Sequence, residues 1–364
     1  MPHFHGFSGI LATMRVLIIR LSSMGDVVHT LPALTDAARA NPAIRFDWAV
    51  AEAFADIPAW HSHVEKVFPV DLRRWRRQSR SATGRAQVDE ILKSIRAERY
   101  DAVIDLQGEF KSAFVARLAH GPRHGYDGAS ARERGAHIVY RNRYAVPKGI
   151  HSMARMRRLL SQALSYSYDE ASIDYGIERE RLPRPMVLTK PYVAFIHSTS
   201  WESKNWPEHY WRELGERVAA NGFSIVLPWG SELERERSLR IANGNAKATV
   251  LPQLSISEKA SIIHGAAATV GLDTGLSHIA AALGVPSVTL YGATDPNLCG
   301  AIGANQIHIK SDFECVGCHE TECSFARSNF KPACFEHVDP SKVWRRLEQL
   351  LPTSVQSEHA YQIA

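Results

Sequence analysis

The sequence predicts an α/β protein of two doubly wound, Rossmann-like domains facing across a cleft, and three observations carry that prediction. Short apolar runs alternate with segments of helical spacing along the chain, the pattern of βαβ units on a parallel sheet. A length of 364 residues exceeds one ordinary domain and suits two. A proline-rich stretch, Leu182-Pro183-Arg184-Pro185, interrupts the pattern near mid-chain and reads as a linker. The resulting boundaries are 14–182 for the first domain, 183–190 for the linker, 191–338 for the second domain, and 339–364 for a C-terminal helix and tail. Residues 1–13 read as a disordered extension, because Met14-Arg15-Val16-Leu17 looks the more natural start.

In the first half, Arg15–Arg20 is an apolar strand, and Val27, Leu31, Leu34 and Ala38 then recur at helical spacing. Pro32 puts the start of the regular helix near Thr30, which leaves Asp26 in an exposed turn. Arg45–Ala51 is the next strand, Glu52–His61 is helical, and Val64–Val70 is strand-like. A basic stretch then runs into a helix at Val88–Arg96. Tyr100–Leu106 is a strand ended by Gln107-Gly108, the helix Lys111–Ala119 follows, and Ser152–Leu164 is a long helix. The second half is cleaner. Strands at Tyr192–His197, Phe223–Pro228, Thr249–Leu251, Ala267–Leu272 and Ser287–Tyr291 alternate with helices at Pro207–Ala220, Glu232–Ile241, Ser257–His264 and Leu276–Leu283. Pro207 at a first helical turn and Asn221-Gly222 past the end mark boundaries well.

Composition is that of a soluble globular chain, with 45% hydrophobic and 22% charged residues. No apolar run is long enough for a membrane span, and residues 1–13 lack the basic start and long apolar core of a secretory signal. A cytoplasmic protein is expected. The formal charge is +5, and its distribution says more than its size: Arg73-Arg74-Trp75-Arg76-Arg77, with Arg155, Arg157 and Arg158, gives the first half a preference for an anionic partner. No nucleic-acid motif accompanies these arginines, so they fit a pocket rim for a phosphorylated or carboxylated acceptor better than a nucleic-acid surface.

Ligands of doubly wound sheets sit outside the carboxyl ends of the strands, and four polar clusters fall there. Ser22-Ser23-Met24-Gly25-Asp26 closes the first strand, where Asp26 reads equally well as a helix-start acid and as a proton acceptor. His197-Ser198-Thr199-Ser200 with Lys204 offers hydroxyls and a cation at a helix entrance, suited to phosphate oxygens. Asp273-Thr274-Gly275, with Ser277 and His278 beyond, is the best phosphate cradle in the chain. Glu234, after Pro228-Trp229-Gly230, could accept from sugar hydroxyls. No GxGxxG or P-loop occurs, which disfavours a dehydrogenase or P-loop NTPase. No Asp-x-Asp pair is present to hold a divalent ion on a diphosphate. Cys315, Cys318, Cys323 and Cys334 have the spacing C-x2-C-x4-C-x10-C, which reads as a structural zinc knob or, equally, as a reduced or disulfide-stapled loop.

SSMGDVVHTLPALTDA, FDWAVAEAFADIPAWH, RRWRR, YDAVIDLQG, KNWPEHYWREL, LPWG and DTGLSHIAAALGVPSVTLYGATDP resemble the ADP-heptose:lipopolysaccharide heptosyltransferases of type I. The likeness runs from Met14 to about Asp295. It implies an inverting GT-B glycosyltransferase with ADP-L-glycero-D-manno-heptose as donor and Kdo2-lipid A as acceptor, at the cytoplasmic face of the inner membrane. It further implies Asp26 as general base. Thr199, Ser200 and Lys204 would hold the diphosphate, Glu234 the ribose and Leu254 the adenine, with Asp273, Thr274, Gly275 and His278 completing the donor site. Arg73, Arg76 and Arg77, with Arg132, would meet the acidic acceptor. Transfer of a later heptose and a sugar-nucleotide epimerase of similar fold are the alternatives. The cysteine segment lies outside the type I pattern, and Ser200 stands where the family has threonine. No catalytic cofactor and no nucleic acid are expected.

Overall fold

The structure, a computed structural model, describes residues 13–72 and 82–352, with backbone alone for 82–88. Arg73, Arg76 and Arg77, the extension up to residue 12 and the tail from residue 353 lie outside the described residues. The chain divides into two compact units. Among the described residues, the first runs up to Ser22 and takes in those of 30–148 and 153–176; the second holds Ser23–His29, Gly149–Ser152 and 177–352.

The first unit has six strands: β1 (Met14–Ile19), β2 (Ile44–Ala51), β3 (Val64–Val70), β4 (Ala102–Asp105), β5 (Arg123–Tyr126) and β6 (Asn142–Tyr144). They lie in the order β3-β2-β1-β4-β5-β6, every pair parallel. Its helices are α1 (Met24–Ala40), α2 (Ala82–Ala97), α3 (Phe110–Leu118) and α4 (Ser152–Leu164). The apolar runs of β1 and β4 become central strands because both of their faces are covered; Val16 to Ile19 and Ala102 to Ile104 are all buried. The helical stretch expected over Glu52–His61 is two 3-10 turns, Glu52–Phe54 and Pro58–Trp60, held down by buried Ile57 and Trp60.

The second unit repeats the plan with β7 (Tyr192–Ile196), β8 (Ser224–Leu227), β9 (Ala248–Val250), β10 (Ala268–Leu272), β11 (Ser287–Tyr291) and β12 (Gln306–Lys310) in the parallel order β12-β11-β10-β7-β8-β9. Its helices are α5 (Glu208–Ala220), α6 (Glu232–Ala242), α7 (Ile256–His264), α8 (Gly275–Ala282), α9 (Pro296–Cys299) and α10 (Pro340–Glu348). α6 and α7 start with reciprocal capping boxes, Ser231 with Glu234 and Ser255 with Glu258. The core is dense with aromatics: Trp206 and Trp211 meet edge to face at 5.0 Å, and Phe195 packs on Trp211. Counted from its own first strand, each sheet has the order 3-2-1-4-5-6 of dinucleotide-binding folds, the two-sheet fold class the sequence predicts. Among the described residues, no helix is long and apolar enough to cross a membrane.

Two expectations need correction. α1 starts at Met24, six residues before Thr30, and Pro32 lies inside it. Burial of Val27, Val28, Leu31 and Leu34 outweighs the one helix bond that proline removes. Arg157 is no part of a basic surface. It is 3% exposed, and its guanidinium pairs with Asp36 at 2.6 and 3.1 Å while donating to the carbonyls of Asp169, Glu170 and Ser172. Truncating it leaves the Asp36 carboxylate buried without its partner. Arg157→Ala is therefore expected to lower unfolding stability by about 3–5 kcal/mol, read as a drop in the urea midpoint; an unchanged midpoint would show the pair to be dispensable.

Candidate active site

In the second unit the switch point lies between β7 and β10, the place where such sheets bind ligands. The loop after β7 makes a 3-10 turn, Glu202–Lys204, that turns Lys204 inward. Its Nζ donates to Asp273 Oδ2 at 2.8 Å and lies 4.3 Å over the Trp201 ring. Asp273 follows β10. Thr294 Oγ1, beyond β11, donates to the same oxygen at 2.7 Å, and His278 Nε2 stands 3.6 Å from Oδ1. Burial alone would push the Asp273 pKa up. The His278 bond and the Lys204 charge outweigh it, and the carboxyl is held below its ordinary range. Asp273 thus stays ionised and fixes the ammonium. Thr274 is the N-cap of α8 yet makes no side-chain cap bond, so its hydroxyl and the first amides of α8 remain for an anion. Thr199 has its amide bonded to Asn205 Oδ1 at 3.2 Å, and Ser200 is exposed.

The first turn of α1 groups with this unit, and two glycines explain the approach. A Cβ on Gly25 would stand 2.6 Å from His278 Cδ2, and one on Gly275 would stand 2.1 Å from Met24 Sδ; only glycine fits either place. Asp26 is half-buried in the first helical turn rather than exposed beyond it. Its Oδ2 accepts from Ser23 N at 3.3 Å and Ser23 Oγ at 3.1 Å, so the carboxylate is itself the capping partner.

Sequence reasoning named one histidine here, and the structure brings four. His29 packs edge-on against His278 at 4.5 Å and His151 at 5.0 Å between centroids. His151 Nε2 donates to the Gly300 carbonyl, and His308 Nε2 to that of Ala301. Burial, with the neighbouring His278 and His151, holds the His29 pKa well below the usual value. Its Nε2 and His278 Nδ1 are both buried without a hydrogen-bond partner among the described residues.

A pocket of about 200 Å³ adjoins, with Trp229, Gly230, Ser231, Glu234, Ile256, Lys259 and Thr274 in its wall. Glu234 Oε2 accepts from the amides of Gly230 and Ser231 at 2.6 and 3.2 Å, a cap that uses one carboxylate oxygen. Lys259, missed in the sequence, is only 8% exposed. Burial draws its pKa down against the pull of Glu234 and Glu258, and among the described residues it is in no ion pair. A lysine inside SEKASIIH looks like a solvated helix position, so no sequence signal marked it. Leu254 packs with Leu251 and Ile262 in a small core cluster; Ile256, two residues on, is the pocket side chain of this stretch.

In the first unit, Gln107-Gly108-Glu109 leaves β4 through a left-handed Gly108 (φ 70°). Glu109 gathers Lys111 at 2.9 Å and Arg132 at 3.2 Å, the latter with its side chain 63% exposed. Cys315, Cys318, Cys323 and Cys334 are free thiols that line one pocket. Among the described residues no group of three or more His, Cys, Asp or Glu side chains is arranged to hold a metal ion. The segment braces the loop after β7. Carbonyls of Glu320 and Thr321 accept from Ser203 Oγ and N at 2.5 and 3.1 Å. Amides of Gly317 and His319 donate to the carbonyls of Gly292 and Ala293.

These groups suit a nucleoside diphosphate linked to a sugar: a fixed cation and a helix N-terminus for the phosphates, and a carboxylate and ammonium in the adjoining pocket. Residues 88–328 match glycosyltransferase family 9 (heptosyltransferase). The chain is similar to lipopolysaccharide heptosyltransferase 1 of Pseudomonas aeruginosa, 46% identical over 93% of this chain and 98% of that one. Among solved structures it is similar to the E. coli heptosyltransferase WaaC with ADP, at 42% identity and TM-score 0.81, over 93% of this chain and all of the other. It is also similar to the same enzyme with ADP-2-deoxy-2-fluoro heptose, at 41% and 0.78, over 92% and 99%.

His197, fully buried between Ser238 Oγ and Ser198 Oγ at 2.7 Å each, yields a pH prediction. Burial first, then the Arg237 charge, pushes its pKa down to about 3, against about 6.5 in an unfolded chain. The folded state therefore binds fewer protons than the unfolded one between these values. The stability tied to neutral His197 is present above about pH 6.5 and is lost as pH falls toward 3. Thermal melts should fall between pH 7 and 5, and the fall should be shallower in His197→Asn; parallel curves would discount this histidine.

Proposed function

The chain belongs to glycosyltransferase family 9, the heptosyltransferases, and from that premise we propose that it moves L-glycero-D-manno-heptose from ADP-heptose to a Kdo sugar of Kdo2-lipid A, with inversion. The observation that carries the reading is the Lys204–Asp273–Thr294 cluster beside the free N-cap of α8. A cation fixed by a buried carboxylate, next to a helix N-terminus, suits a diphosphate that gains charge as it leaves. The second oxygen of Glu234 would accept from ribose hydroxyls, and Lys259 would donate to acceptor atoms of the base or ribose. Because the acceptor is a membrane lipid, the protein would work peripherally at the cytoplasmic face of the inner membrane. Arg73, Arg76, Arg77 and Arg132 would meet the acidic acceptor.

In this mechanism the acceptor hydroxyl oxygen attacks the anomeric carbon from the face opposite ADP. The bond from that carbon to the β-phosphate oxygen breaks, its electron pair leaves with ADP, and the hydroxyl proton goes to Asp26. A transition state with oxocarbenium character needs little nucleophilic push, so one placed carboxylate suffices. Lys204 and the amides at the start of α8 take up the charge on the leaving group.

The reading is tested by incubating the protein with ADP-heptose and Kdo2-lipid A and weighing the lipid product. A gain of one heptose supports it; gain only on an acceptor that already carries heptose would shift it to a later transfer, and donor turnover without acceptor to an epimerase or hydrolase. Asp26→Asn is expected to cut kcat by about 10²–10⁴-fold with ADP binding by calorimetry nearly unchanged; near-normal turnover would remove Asp26 from the base role. Lys259→Met is expected to raise the ADP-heptose KM about tenfold with kcat little moved. An effect on kcat alone would take Lys259 out of donor binding.

A further inference from the structure

The reaction makes no use of the outer face of α3. Phe110, Phe114 and Arg117 recur at i, i+4 and i+7 and share one side of the helix. The two phenylalanines are 59% and 52% exposed. Gly135 lies behind the Phe110 ring, where a Cβ would stand 3.2 Å from Cε1. One 3-10 turn further on, Ile138 is 71% exposed. Single exposed apolar residues are ordinary; three large ones gathered on a helix and the turn packed against it mark a surface kept for contact.

Beyond the Phe114 end of this face opens a pocket of about 280 Å³ lined by Arg96, Arg117, His120 and Arg123. No carboxylate lines it, and among the described residues none of the three guanidiniums is in an ion pair. Arg123 Nε donates to the Val139 carbonyl at 2.9 Å, which ties the pocket to the turn that carries Ile138. Aromatic and aliphatic side chains beside unpaired arginines match the layering of an anionic bilayer surface, with phosphates outside and acyl chains beneath.

We propose that the α3 face is the surface by which the first unit docks on an anionic phospholipid bilayer. Phe110, Phe114 and Ile138 enter the boundary between headgroups and acyl chains, and the pocket arginines hold lipid phosphates. The inference rests on the reading that the acceptor is a membrane lipid.

The test is co-sedimentation of the full chain with vesicles of phosphatidylethanolamine and phosphatidylglycerol, against phosphatidylcholine vesicles. Heptose transfer is followed in parallel on Kdo2-lipid A dispersed in detergent and embedded in vesicles. Binding is expected to the anionic vesicles alone. Arg117→Glu and the double variant Phe114→Ser/Ile138→Ser should each weaken it about fivefold or more and slow transfer to the embedded acceptor. Both should keep the wild-type melting temperature and the rate in detergent. The docking face is overturned if the wild type transfers in detergent but ignores anionic vesicles, or if the variants bind as the wild type does. It is equally overturned if the double variant only dissolves a dimer of the chain, which would assign the face to self-association. Failure of the wild type to transfer even in detergent would sink the heptosyltransferase reading instead, and vesicle binding would still judge the face.

Discussion

The chemistry of the second unit depends on one buried ion pair, Lys204 with Asp273. A carboxylate 6% exposed is costly to ionise unless partners replace its lost water. Here Lys204, Thr294 and His278 do so from three different strand ends. The pair therefore joins the loop after β7, the start of α8 and the loop after β11 into one rigid rim. The cysteine segment supports that rim from behind, taking both polar groups of Ser203 on carbonyls 320 and 321 and reaching 292 and 293 with amides 317 and 319. Lys204 is thus held at a fixed point, and in the proposed reaction a pre-placed charge would need no reorganisation when the leaving group gains its own.

What the sequence disclosed follows from how each part is stabilised. Central strands were legible because burial on both faces demands unbroken apolar runs, as in VLII and YVAFI. β6 and β12 read NRY and QIHIK, too polar to stand out, since an edge strand needs less apolar cover; β5, RHGY, lies inside the sheet but is only four residues long and carries no apolar run. The hydroxyl-rich loops were legible because small and hydroxylic residues at strand ends have few other uses. The histidine cluster was not, for positions 29, 151, 278 and 308 share no spacing and meet only through the fold. Arg157 misled for the opposite reason: next to Arg158 it looks like surface charge, and only the position of Asp36 on α1 shows it to be buried.

Both units share one strand order, yet their switch points carry different chemistry. In the first unit β4 ends on Asp105, and the loop after it holds Gln107 and Glu109. Asp105 is pushed up by burial while accepting from Tyr140 and from the amides of Gln107 and Gly108. In the second unit the matching loops offer hydroxyls, a helix N-terminus and Lys204. The same backbone plan therefore yields one end lined with acceptors and another suited to an anion. That division is set by side chains at strand ends alone.

Asp26 shows how a capping role and the proposed role as base would fit in one carboxylate. Its place in the first turn of α1 lets its carboxylate accept from Ser23 twice, which fixes it at the helix start. The site gives this carboxylate a fixed position, because Gly25 and Gly275 let two helix starts approach within a side chain's thickness, and both of these Ser23 bonds fall on Oδ2. For a reaction whose barrier lies in breaking the bond to the leaving group, proton transfer comes late and driving force matters little. Under the proposed mechanism a base held still in the right place would then be sufficient, and the capping bonds from Ser23 are what hold it still.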